Sequence, residues 1–174
     1  MSSTIFNANP TIFAPAQQPS SSSRDAGRSL WIADSDESEP GSDTDDGAVE
    51  AIDRDEIFDL IRGIYDPEHP NTLEELHVVS AAQISVHSLV TVEFTPTVPH
   101  CGMSTLIGLS IRVRLMRSLP TRYKVDIVVK PGSHQSELAV NKQLNDKERV
   151  AAALENSALV DTLEQTLAGV GRRV

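Results

Sequence analysis

Cysteine is almost missing from this chain: one residue in 174, Cys101. That excludes an intramolecular disulfide framework and is compatible with a reducing compartment. Aromatics make up only 4 %, so a core must be built from aliphatic side chains. Basic residues are outnumbered, 15 Lys and Arg against 25 Asp and Glu. A net charge of −10 argues against a general nucleic-acid binder, which needs a basic face to displace counterions, and against a surface that clings to anionic lipid. No apolar run approaches the roughly 20 residues of a membrane span. The opening stretch, MSSTIFNANPTIFAPAQQ, lacks the basic and apolar regions of a secretory signal and is poor in Arg, unlike a mitochondrial presequence. The expected location is the cytoplasm, with a nuclear pool compatible. There is no G-x-G-x-x-G, no Walker loop and no G-x-S-x-G.

What is present divides in two. Residues 1–50 are rich in Ser, Pro and acids, with nine Asp and Glu against two Arg. Such a segment buries too little apolar surface to offset its ordering entropy, so it is expected to be a disordered acidic tail. Most of the net charge belongs to it. Leu30, Trp31 and Ile32 interrupt it as a docking motif or an incidental cluster, and Ser35, Ser38 and Ser42 precede acids as an acid-directed kinase requires. Residues 51–174 read as a folded domain.

In that domain Ile57, Leu60, Ile61 and Ile64 recur at helical spacing, with Asp53, Asp55 and Glu56 at the start, where the helix dipole favours acids. Thr72 and Glu75 in TLEELHVV have capping-box spacing for one short helical turn. Two strands show period two: Val90, Val92, Phe94, and Tyr123, Val125, Ile127, Val129. AAQISVHS is a weaker third. Between the clear strands Met103, Leu106, Ile107, Leu109, Val113 and Met116 suit a helix ending before Pro120. Arg112, Arg114 and Arg117 fall toward its end, on a face either solvated or turned to an acidic partner. SELAVNKQL and DKERVAAALEN predict two more helices, with Asn145 and Glu148 as a cap-like pair. Leu159, Leu163 and Leu167 form a last amphipathic stripe. The expected fold is α+β: a small antiparallel or mixed sheet of about three strands with helices packed on it.

Cys101 follows TPTVPH and precedes the central helix. Backbone N–H groups at a helix start are unpaired and favour an anion, which lowers a thiol pKa and raises the thiolate fraction. His100 is adjacent, although neighbours in sequence seldom face each other. An equally open reading makes Cys101 a small buried hydrophobe. A four-ligand metal or cluster site cannot be closed by one Cys and five His that lack C-x-x-C or H-x-x-x-H spacing. One thiolate could still supply a single ligand to a site shared with other chains. Asp66 and Glu68 read as an acid–base pair or as a plain Asp-Pro turn, and KPGSH (Lys130 to His134) reads as a plain turn. No complete catalytic set is present.

DPEHPNTLEELHVV, FTPTVPHCGMSTLIGLSIRVRLMRSLP and VNKQLNDKERVAAALEN together resemble the cytosolic iron–sulfur assembly component 2 family, within the Fe–S cluster assembly domain superfamily. The resemblance covers roughly residues 52–167 and is nearer the B type than the A type. It implies an Fe–S cluster assembly type domain over 51–174 and a role as adaptor in the cytosolic iron–sulfur targeting complex. The implied partners are a WD40 propeller subunit, a HEAT-repeat scaffold and client Fe–S apo-proteins, with no direct nucleic acid or membrane. The implied cargo is a transient 4Fe-4S cluster, none being held stably by the monomer. Clients that maintain DNA connect the family to chromosome partition and the nucleus. The family's reactive cysteine maps to Cys101, as cluster ligand shared with partner chains, with Thr97, His100, Asp66 and Glu68 as supporting residues. Gly102 stands where animal members tend to carry serine. A homodimer is compatible with the superfamily. The alternatives are a scaffold that never touches a cluster, and a thiol enzyme using Cys101.

Overall fold

Alternation in Leu89–Phe94 (β2) sends Val90, Val92 and Phe94 to one face, where all three are fully buried. The same period in Lys124–Val129 (β3) buries Val125, Ile127 and Val129. These strands come from a computed structural model that describes residues 10–15, 52–98 and 102–170. β2 and β3 run parallel, with Val90 opposite Val125, Val92 opposite Ile127 and Phe94 opposite Val129. Parallel neighbours need a crossover, supplied here by the helix Met103–Ser118 (α2). The weaker strand forms as Ile84–Val86 (β1), antiparallel to β2, with Ile84 opposite Val92 and Val86 opposite Val90. The sheet is therefore mixed, in the order β1-β2-β3, and its apolar side chains line up in rows on one face.

α2 is buried on most of its circumference, including Leu106, Ile107, Leu109, Ile111, Val113 and Leu115. A helix apolar on all sides must be enclosed. It lies against β3, the helix Arg54–Ile61 (α1), the helix Glu137–Asn145 (α3) and the helix Ser157–Leu167 (α5). Leu163 and Leu167 of α5 are buried and Leu159 partly so, which assigns the C-terminal stripe to the domain's own core. α1 begins at a capping box in which Asp53 and Glu56 each accept the other's backbone N–H.

The arginines of α2 correct the sequence expectation. Arg112 is buried, and its Nη1 donates to the Val125 carbonyl at 3.1 Å and to Asn145 Oδ1 at 3.2 Å. Burial pulls its pKa below the ordinary value, with Asp126 opposing. Arg114 Nε donates to the Leu60 carbonyl at 3.2 Å, one of the last carbonyls of α1. Only Arg117 stays outside, 2.6 Å from Glu164 on α5, and Met116 beside it is also exposed. These cations tie the helix to its own neighbours.

β3 is an edge strand, and α3 covers its edge with asparagines. Val129 N–H donates to Asn141 Oδ1 at 2.8 Å. Asn145 accepts from Ile127 N–H and donates to the Ile127 carbonyl, both at 2.9 Å. The geometry allows it because four helical residues rise about 6 Å, close to the roughly 6.6 Å that two strand residues span. This corrects the expected role of Asn145 as a helix cap. Asp146 caps the next helix, Lys147–Leu154 (α4), accepting from the N–H of Glu148 and Arg149.

Pro10 to Pro15 fall within the span expected to be tail, yet they lie on the domain. Phe13 N–H donates to the Glu75 carbonyl at 2.8 Å. The rest of residues 1–50, with the Trp31 cluster and the serines, is outside the described residues. Among the described residues no helix is long and apolar enough to cross a membrane.

Candidate functional site

Because β2 and β3 are parallel, both strands release their chains at one edge, where open α/β units place ligands. Contacts at that edge are short. Lys130 N–H donates to the Phe94 carbonyl and Thr95 N–H to the Val78 carbonyl, each at 2.8 Å. From β2 the chain continues through a half-buried Thr97 and a buried Val98. Pro99, His100 and Cys101 lie outside the described residues. The chain is described again at exposed Gly102, the N-cap of α2.

Gly102 brings no side chain, so the start of α2 has no side-chain cap. The first N–H groups of a helix have no intrahelical partner and face outward as donors to an anion. A groove of about 300 Å³ opens there, lined among others by Gly102, Thr105, His134, Ser136, Ala139 and Gln143. Its far wall is the chain leaving β3. Gly132 turns at φ +78°, the left-handed region that favours glycine. Ser133 N–H and Oγ both donate to the Lys130 carbonyl, at 3.0 and 2.6 Å. Glu137 Oε2 accepts from Gly132 N–H at 2.7 Å, and His134 Nδ1 accepts from Ser136 N–H at 3.0 Å. An accepting Nδ1 leaves the proton of a neutral imidazole on Nε2. KPGSH is thus the expected turn, and it is also one wall of this groove.

Asp66 and Glu68 sit elsewhere in the loop after α1 and are not among the residues that line the groove. The Asp66 side chain is fully buried. Its Oδ1 accepts from Glu68 N–H at 2.8 Å and His69 N–H at 3.0 Å, and lies 3.1 Å from His69 Nδ1. Its own N–H donates to the Asn71 carbonyl, and among the described residues Oδ2 has no hydrogen-bond partner. The carboxylate organises the loop from within, as Asp-Pro turns do. Among the described residues no three His, Cys, Asp or Glu side chains converge to hold a metal ion.

In the sequence His134 is only the last residue of the KPGSH turn. Its place opposite the start of α2 follows from the parallel pairing, which no local pattern announces. The only advance signal was that His134 trails one clear strand much as Cys101 trails the other.

Residues 54–129 match the family model described as iron-sulfur cluster assembly protein. Mouse cytosolic iron-sulfur assembly component 2B is 53 % identical over 166 residues, 94 % of this chain and 91 % of the relative. MIP18 family protein galla-2 of Drosophila melanogaster is 58 % identical over 133 residues, covering 75 % of this chain and 85 % of the relative. The Dictyostelium discoideum component 2B is 57 % identical over 118 residues, 66 % of this chain and 72 % of the relative. The chain therefore belongs to the cytosolic iron–sulfur assembly component 2 (MIP18) family, in line with its B type.

Proposed function

We propose that this protein serves cytosolic iron–sulfur protein assembly as an adaptor that passes a 4Fe-4S cluster toward client apo-proteins. The cluster is cargo. Cys101 supplies one ligand, as thiolate, and other chains supply the rest. In this reading the chain bridges a WD40 propeller subunit and a HEAT-repeat scaffold, in the cytoplasm with a nuclear pool.

The observation that carries the proposal is the match, along nearly the whole chain, to a relative named for cytosolic iron–sulfur assembly. The chemistry is compatible. The next residue after Cys101, Gly102, borders a groove at an uncapped helix start, whose N–H groups favour a thiolate and an anionic cluster. With one thiol in the chain, a cluster would need ligands from elsewhere.

Replacing Cys101 by Ser tests it. The variant is expected to fold and to capture the same partners, while client Fe–S enzymes lose iron and activity. Normal client maturation with the serine variant would remove Cys101 from the mechanism and leave a bridging scaffold. Loss of both partners and clients would assign the cysteine to docking instead.

A further inference from the structure

Thr72–Val78 is one helical turn closed at both ends. Glu75 N–H donates to Thr72 Oγ1 at 3.3 Å and Thr72 N–H to Glu75 Oε2 at 2.9 Å, a reciprocal capping box. His77 sits at φ +52°. The N–H groups of His77 and Val78 return to the carbonyls of Glu74 and Leu73, both at 2.9 Å, which is the Schellman closure. Leu73 and Val78, both fully buried, form the apolar pair that accompanies it. Leu76 N–H takes the Thr72 carbonyl. The closure leaves the Glu75 carbonyl and the exposed His77 ring pointing to the surface.

Phe13 uses both. Its N–H donates to the Glu75 carbonyl at 2.8 Å, and its ring centroid lies 3.7 Å from that of His77, tilted by 35°. We propose that this turn is a docking surface for an extended segment that offers an N–H donor and a flat apolar side chain from one residue. Its native occupant is the chain's own strap, residues 10–15. The attachment is small. Phe13 is 39 % exposed, Ile12 60 % and Pro10 half-buried, and it is Phe13 that carries the hydrogen bond and the ring contact to the turn. It is also intramolecular, since residues 16–51 connect the strap to Ile52 of the same unit. A connection of that length gives the strap a standing advantage over any competing segment from another chain. The strap therefore acts as a releasable cover for the turn.

The test is NMR on the full-length labelled chain. In the wild type the His77 ring protons should be shifted by the Phe13 ring, and the Phe13 amide should exchange about tenfold more slowly than in an unstructured segment. F13A should release the His77 shift and leave the other four histidines unmoved, whereas I12A should change neither. A synthetic peptide of residues 8–17 added to the F13A chain should restore the His77 shift, and the same peptide carrying alanine at position 13 should not. His77 resonances that stay in place in F13A would overturn the proposal. So would restoration by the alanine peptide, because the aromatic anchor would then be dispensable.

Discussion

Asn145 both donates to and accepts from one residue of the sheet edge, Ile127, at 2.9 Å in each direction. The same amide oxygen receives Arg112. Asn145→Ala strands the N–H and carbonyl of Ile127, which is fully buried. Each orphaned buried group costs about 1–3 kcal/mol. The variant should lose about 2–4 kcal/mol in urea unfolding. Asn145→Leu should fare little better, because it restores bulk without the bonds. A loss below about 0.5 kcal/mol would mean that water reaches this edge and replaces the amide.

Arg62 and Glu74 meet at 2.7 Å with side chains only 7 % and 10 % exposed. Burial works against the guanidinium charge, and Glu74 and Asp59 more than offset it, so the Arg62 pKa stays above its ordinary value. Glu74→Ala removes the nearer of two carboxylates from a buried guanidinium that Asp59 still meets at 3.0 Å, and should cost about 1–3 kcal/mol by chemical denaturation. Glu74→Gln keeps an acceptor near Nε and should cost clearly less. Equal losses would show that the carboxylate charge, which neither variant keeps, is what Glu74 supplies, and not its bulk or a neutral acceptor.

Gly108 lets α2 approach α3. A Cβ on it would stand 2.4 and 2.9 Å from the two terminal methyls of the fully buried Leu144. Alanine improves helix propensity by about 1 kcal/mol, but overpacking costs about 1–3 kcal/mol. Gly108→Ala should therefore destabilise by about 1 kcal/mol in the wild type. In a Leu144→Ala background the clash disappears, and the same change should be neutral or stabilising. A double-mutant cycle reads this directly, and additive effects would contradict the close contact.

Glu75 gives the fold a pH dependence of known sign. The Thr72 N–H bonded to its carboxylate holds its pKa below the usual carboxylate range against some desolvation, with Asn71 and the Thr72 hydroxyl helping. A carboxylate with a depressed folded pKa adds stability above its unfolded pKa and loses it as pH falls through the folded value. Glu75→Gln should be less stable than wild type at pH 7. The gap should close as pH falls below about 4. A gap that stays constant from pH 7 to pH 3 would show that ionisation of Glu75 does not contribute, contradicting the depressed pKa.

Much of the fold could be read along the chain because its signals were local. Val90, Val92 and Phe94 declared β2 by alternation, and Leu159, Leu163 and Leu167 declared α5 by spacing. Thr72 and Glu75 declared a capped turn that is too short to count as a helix. What stayed hidden depends on partners distant in sequence. Asn145 looked like a cap because nothing nearby reveals that its amide meets Ile127, 18 residues earlier. Arg112 looked exposed, to solvent or to an acidic partner, because its burial depends on the Val125 carbonyl. Phe13 looked like part of a polar tail, although its amide completes a turn around Glu75. The groove at Gly102 and His134 depends on two strand exits meeting, which only the pairing of β2 with β3 decides.

The amides of Asn141 and Asn145 have a consequence beyond stability. A bare outer strand is a template onto which another chain can graft itself, and proteins guard such borders against fibre growth. Here the guard is a helix imitating the missing fourth strand, since its side chains occupy the donor and acceptor slots that an intruding backbone would seek. Variants at these two positions should for that reason become sticky as well as soft, clumping on heating where other equally weakened variants stay dispersed.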